Sequence, residues 1–269
     1  MKTARRTKQR AIEPRISVGM MKLFAAYSRR YVRRNFTALR ILKSGLPPGD
    51  PSRPLVIFLN HASWWDPLVC LLLSGEFFPT HNSFAPMDST ALERYRFFKH
   101  LGFFGIEPQT QRGARTFLGI TDALLASSRN ALWLTPQGRF MDVRERPVQL
   151  RAGVGALAAR EPGTIFLPLA IEYTFWTEPR PEILVAFGDP VLPGDEPGYG
   201  AAEWTDIFAD ALESVQNELA VRSCRREVNE WIMLNRGKSG VSGIYDSWRR
   251  LQARIHGEEF ERQHCPEVS

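Results

Sequence analysis

Hydrophobic positions along the chain follow two rhythms, and the order in which they alternate predicts the architecture. From Ser17 onward, Met20, Leu23, Phe24, Tyr27 and Tyr31 recur at offsets of 3, 4, 7 and 11, while Lys22, Arg29, Arg30 and Arg33 fall largely on the other side. That spacing is one face of a basic amphipathic helix. After the breaker Pro47-Pro48-Gly49, the continuous run LVIFL at 55–59 reads as a buried strand that feeds directly into Asn60-His61. Asp66-Pro67 then marks a helix start, with Asp as N-cap and Pro at the first helical position, and LVCLLLS carries the helix to Gly75. Strands are predicted at 83–86, 131–135, 164–173 and 182–187, and helices at 113–128, 152–161 and 202–221. Strands alternating with helices imply an α/β fold, a mainly parallel central sheet flanked by helices.

The ends of the chain read differently. Residues 1–15 are charged and aperiodic and are expected to be a disordered tail. The last 45 or so residues are polar, basic and weakly periodic, and no role follows from them. With no Ser/Gly or Pro-rich linker and no repeat, the reading is a basic tail and amphipathic helix over 1–43, then one globular domain over 44–269 that includes a C-terminal helical segment.

Charge sharpens this division. The net charge of +6 conceals 13 Lys/Arg against the single acid Glu13 in residues 1–43, a local +12 that leaves −6 on the rest. A basic arm on an acidic body points to anionic lipid, nucleic acid or an acidic protein as partner. A hydrophobic content of 43% is enough for a sizeable core and excludes global disorder. Three distant cysteines, Cys70, Cys224 and Cys265, fit a reducing compartment, and Cys70 in PLVCLLL reads as a buried, inert thiol. The longest apolar runs fall short of the ~20 residues of a membrane span, and no apolar core follows Arg5-Arg6 as an export signal requires. The expected location is cytoplasmic, peripheral on a membrane. Contacts to an anionic membrane surface are assigned to Lys22, Phe24, Tyr27, Arg29, Arg30 and Arg33.

One constellation carries chemistry. His61 ends a buried strand and Asp66 opens the next helix five residues later. On a continuous helix five residues turn about 140° net and the two side chains would diverge; with His61 in a loop they can meet. A carboxylate on imidazole Nδ1 fixes the tautomer, leaves Nε2 as base and stabilises the imidazolium. Spacing alone leaves a plainer reading open, with Asp66 as a helix cap and His61 as a strand-end histidine.

The surrounding string, NHASWWDP, resembles the N-H-x-x-x-x-D motif of the glycerophospholipid acyltransferase family, which includes the lysophosphatidic acid acyltransferases. Three further blocks follow in the family's order: GFFGIEP at 102–108 in the place of its acceptor-binding segment, LTPQGRF at 134–140 beside its F-P-E-G-T-R segment, and LPLAI at 167–171 beside its proline-containing fourth motif. The resemblance implies O-acyl transfer from acyl-CoA or acyl carrier protein to a lipid hydroxyl, with His61 as general base and Asp66 as its orienter. It implies no cofactor and no metal, only the acyl donor thioester as co-substrate and a lipid acceptor; none of the five histidines has H-E-x-x-H spacing. Substrate-binding positions then fall on Glu107, Arg112, Arg115, Pro136, Gln137, Gly138 and Arg139.

Departures from the family pattern bear on the acceptor. Gln137 stands in the place of a glutamate, Phe140 in that of the closing arginine with Arg139 one position early, and Pro108 in that of a basic residue. Motif arginines are the expected ligands of an acceptor phosphate. Arg112, Arg115 and Arg139 are candidate substitutes, Gly138 could bring backbone N–H groups to an oxyanion, and Gln137 could bind an acceptor hydroxyl. Lysophospholipid, lyso-aminolipid and glycolipid acceptors all remain open. Trp64 and Trp65 would either line an acyl channel or face the bilayer, or else pack beneath the loop.

Three other readings compete. A nucleic-acid binder would use the arginines and aromatics of 24–36, yet the body is acidic and no nucleic-acid motif is present. A serine or cysteine hydrolase lacks G-x-S-x-G. A non-catalytic lipid-binding or scaffolding relative of the same fold stays as the alternative.

Overall fold

A computed structural model describes residues 14–48, 52–195 and 198–237. In chain order the elements are α1 (Val18–Asn35), β1 (Ala38–Leu42), β2 (Leu55–Leu59), α2 (Asp66–Phe77), β3 (Asn82–Asp88), α3 (Ser89–Arg94), β4 (Phe103–Ile106), α4 (Gln111–Leu125), β5 (Asn130–Leu134), α5 (Gly153–Arg160), β6 (Ile165–Thr174), β7 (Glu182–Phe187), α6 (Ala201–Arg225) and β8 (Trp231–Arg236). The strands form one eight-stranded sheet in the order β4-β3-β5-β2-β6-β7-β1-β8. Pairing is parallel from β4 through to β6 and between β7 and β1, and antiparallel for β6–β7 and β1–β8. The fold is therefore α/β with a mostly parallel, mixed sheet flanked by helices.

The continuous apolar run at β2 follows from burial on both faces, which removes the need for polar alternation. Leu55, Ile57 and Leu59 join a core with Val32 of α1 and Val69, Leu72 and Leu73 of α2. Val56 and Phe58 point the other way, into a core built from α4, α5 and α6 with Phe117, Leu157 and Phe208. Each face buries several large side chains, each contributing roughly 1.5–3 kcal/mol.

Several sequence expectations change. The strand Ala38–Leu42, assigned to the basic arm, lies inside the sheet between β7 and β8. Its Arg40, counted in the charge of that arm, is buried and pairs with Glu182 Oε2 at 3.1 Å. The helix after Asp66 does not stop at Gly75 but runs to Phe77; a mid-helix glycine costs only about 1 kcal/mol, which the burial of Leu72 and Leu73 offsets. The block GFFGIEP contains the strand β4, and the polar C-terminal stretch contains the edge strand β8. The expected tail over 1–15 falls almost entirely outside the described residues, as does the chain beyond 237.

Candidate active site

In a parallel sheet the strands' carboxyl ends share one edge, where α/β proteins form their ligand crevices. At that edge the segments following β2, β3, β4 and β5 converge on a cavity of about 800 Å³. Its walls are largely apolar, with Phe84, Phe103, Phe117 and Trp133 among them, and His61 and Asp66 are among the polar residues that line it.

The chain reaches His61 through Asn60. Its side-chain amide donates to Ile171 O at 2.9 Å, and its Oδ1 accepts from Ile171 N at 2.8 Å. The side chain thus continues the β2–β6 ladder one step past the Leu59–Leu169 pair while the backbone turns away from the sheet. His61 is then held at both backbone atoms: its N–H donates to Gln137 Oε1 at 2.9 Å and its carbonyl accepts from Met141 N at 2.9 Å. Two loops from neighbouring strands are stapled together at the histidine.

His61 Nδ1 lies 2.7 Å from Asp66 Oδ2. An ionised carboxylate only accepts, so Nδ1 carries the hydrogen and Nε2 is the basic nitrogen. Asp66 is 1% exposed. Its Oδ2 also accepts from Ser63 N at 3.1 Å, and its Oδ1 accepts from the Tyr173 hydroxyl at 2.8 Å. The expected N-cap role of Asp66 does not hold. Trp65 occupies the cap position and Asp66 is the first helical residue, with its carboxylate turned back into the loop toward His61.

Tyr173 is the partner of Asp66 that sequence reasoning passed over. It ends the predicted strand 164–173 with nothing in the local pattern to mark it, because its relation to Asp66 spans 107 positions. Burial first, and then the Asp66 carboxylate, push its phenol well above the usual value near 10, so it remains a hydrogen-bond donor. Phe140 packs on His61 with ring centroids 4.2 Å apart and the planes tilted by 34°.

The expected substrate-binding residues divide. Glu107, Pro136, Gly138 and Arg139 line the cavity. Arg112 and Arg115 do not; Arg112 is exposed and lies 3.6 Å from Glu107. Gln137 is buried with its side-chain carbonyl committed to the His61 backbone, so it holds the histidine where acceptor binding was expected. The Gly138 amide is also committed, donating to Thr135 O at 2.9 Å, which removes it as an oxyanion donor. Gly138 has φ +67°, and a Cβ there would meet Arg151 Nε at 2.3 Å. A side chain would clash as well as strain the turn. Arg151, which the sequence reading did not single out, lines the cavity beside Arg139 and donates to Gly138 O at 3.2 Å.

Neither tryptophan of the loop lines the cavity. Trp65 packs beneath the loop against Tyr31, with centroids 4.6 Å apart, and Trp64 faces solvent against Tyr95. Cys70 lines the cavity, but burial, then the nearby Asp66 charge, raise its thiol well above the ordinary range. Ser63 Oγ accepts from the Trp65 amide at 3.3 Å and does not line the cavity. Among the described residues no group of His, Cys, Asp and Glu could hold a metal ion.

Of the expected membrane contacts on α1, Phe24 turns inward to line the cavity, while Lys22, Tyr27, Arg29, Arg30 and Arg33 are exposed. Arg29 and Arg33 border a separate groove of about 290 Å³ with Arg236 and Glu76. Among the described residues no helix is long and apolar enough to cross a membrane.

Fold and site define a class: an α/β protein with a buried-carboxylate–histidine pair in the wall of a largely apolar cavity. No family model matches the chain, and no curated protein matches it either.

Proposed function

We propose that the protein is an O-acyltransferase that moves a fatty acyl group from a thioester, acyl-CoA or acyl carrier protein, to the hydroxyl of a lipid. The observation that carries this reading is the His61–Asp66 pair, 2.7 Å apart, opening onto an apolar cavity of about 800 Å³. A methylene fills about the space of a water molecule, about 30 Å³, so a long acyl chain fits with room for an acceptor.

In this mechanism the acceptor hydroxyl is the nucleophile. His61 Nε2 takes its proton as the oxygen attacks the thioester carbonyl carbon. The tetrahedral intermediate then collapses, the C–S bond breaks, and the departing sulfur takes the proton from the imidazolium, leaving an ester and a free thiol. Asp66 holds the ring and stabilises its cationic form. A protein nucleophile is disfavoured: the Ser63 hydroxyl is engaged in the loop, and the Cys70 thiol stays protonated at neutral pH. Arg139 and Arg151 at the cavity wall supply positive charge for an anionic part of donor or acceptor.

The test is release of free thiol from acyl-CoA and acyl carrier protein donors with lysophospholipid, lyso-aminolipid and glycolipid acceptors, comparing the native protein with His61→Ala. Acceptor-dependent release abolished by the substitution is the expected result. Equal rates in both proteins would remove His61 as base, and no turnover with any acceptor would favour a non-catalytic lipid-binding protein.

A further inference from the structure

The residues of α1 separate into two flanks once the helix is packed. Successive residues turn by 100°, and Ser28 and Val32 mark the buried side. On one flank Leu23, Tyr27, Arg30 and Arg34 align at offsets of 0, 4, 7 and 11. Lys22, Arg29 and Arg33 lie on the other, where Arg29 and Arg33 border the groove shared with Arg236.

The first flank continues onto a second segment. Phe24 stacks on Tyr27 at 5.8 Å and meets Phe97 at 5.8 Å, while Trp64 leans on Tyr95 at 5.9 Å. Arg94 sits over the Tyr95 ring, and Arg96 is exposed beside it. Four large apolar side chains of this surface face solvent: Leu23 at 65%, Trp64 at 58%, Tyr27 at 50% and Phe97 at 39% exposure. Single exposed hydrophobes need no explanation, but Tyr27 and Phe97 joined through Phe24, with Leu23 on the same flank, Trp64 on Tyr95, and arginines alongside, do. Indole, phenol and guanidinium side by side are the chemistry of the bilayer interface, where rings sit at headgroup depth and cations meet anionic lipid.

We infer that the composite face of α1 and residues 94–97, with Trp64, docks on an anionic bilayer through the Leu23–Tyr27–Arg30–Arg34 flank, and that the Lys22–Arg29–Arg33 flank stays in water. The face also backs the cavity, since Phe24 lines the cavity wall while touching Phe97. Docking therefore brings the lipid phase to the part of the cavity wall that Phe24 forms. The inference takes its lipid substrate from the proposed function, but binding is read without turnover, so the two can fail separately.

The experiment is sedimentation of the full chain with phosphatidylglycerol–phosphatidylcholine vesicles and with pure phosphatidylcholine. Three triple variants are compared: Arg30→Glu/Arg34→Glu/Arg96→Glu, Lys22→Glu/Arg29→Glu/Arg33→Glu, and Trp64→Ala/Tyr27→Ala/Phe97→Ala. Circular dichroism and a melting curve establish that each is folded. The expected result is binding of the native chain to anionic vesicles, weakened about a hundredfold or more by the first set, given the contribution of each cation at such a surface. The second set binds within about threefold of native, because the weak long-range attraction it loses is screened beyond a Debye length. The third set weakens binding to both vesicle types. Equal losses from the first and second sets, or no vesicle binding by the native chain, would overturn the inference. Should the third set lose its fold, Trp64→Ala alone, at an exposed loop position, reads the same contribution.

Discussion

Replacing Asp66 by Asn isolates the electrostatic part of the proposed base. The carboxylate has three partners: His61 Nδ1 and Ser63 N on Oδ2 and the Tyr173 hydroxyl on Oδ1. Asn can sit with its carbonyl oxygen toward His61 and Ser63 and its NH₂ toward Tyr173, whose hydroxyl can accept. Shape, tautomer and packing are then retained, and only the negative charge beside the imidazolium is lost. With charge centres about 4 Å apart and an effective dielectric of about 20, that charge is worth about 4 kcal/mol to the imidazolium, or about three decades in rate. The opposite seating is worse for the proposed reaction, since an NH₂ facing Nδ1 drives the proton to Nε2 and removes the base. The assay is steady-state thiol release with kcat and KM resolved, beside a melting curve. The expected outcome is a fall in kcat of about 10³ with KM within about twofold, because the lost charge acts on the imidazolium that forms during the reaction. A kcat within about threefold of native, in a protein of unchanged Tm, would refute the role of the pair.

Tyr173→Phe leaves Oδ1 of a buried carboxylate without its donor; the expected result is a stability loss of about 1.5–3 kcal/mol by chemical denaturation, with kcat lowered and KM unchanged, and an unaltered kcat would show that Tyr173 has no part in positioning. Glu172 offers a pH test: burial, opposed by the Ser223 hydrogen bond and Arg144, raises its carboxyl above 4.5. Because the folded value exceeds the unfolded one, ionisation works against folding at neutral pH and the penalty disappears as pH falls through the raised value toward 4.5. Glu172→Gln, whose amide oxygen can still accept from Ser223, should therefore raise Tm at pH 7, with the gap closing in acid; a constant gap or a lower Tm at pH 7 counts against this. Cys70 should resist iodoacetamide at pH 8 in the folded protein while exposed Cys224 reacts, as peptide mapping of the alkylated chain will read, and rapid native labelling of Cys70 would contradict its raised thiol.

How much of this was legible in the sequence depends on the range of the interaction concerned. Local features came through: α1 from its 3–4 spacing, β2 from LVIFL, α6 from its long amphipathic pattern, and the nearness of His61 to Asp66 from five residues that could not be helical throughout. Strands β1, β4 and β8 did not, for a common reason. Each is short, and each is a strand only because a neighbour pairs with it; ALRIL even carries an arginine, acceptable in the sheet because Glu182, two positions along the register on β7, forms an ion pair with it.

The same division holds at the site. From sequence alone the pair of titratable groups could be named, and the loop that lets them meet. What the tertiary structure decided was the use of each neighbour. Gln137 became a staple for the His61 backbone because β2 and β5 are adjacent in the sheet. Tyr173 became a partner of Asp66 because β6 lies on the other side of β2, and Arg151 entered the cavity because the turn at Gly138 leaves room for it. A periodic pattern is carried by residues three or four apart and survives in one dimension. Contacts between residues 76 or 107 positions apart exist only once the sheet order has brought their strands together.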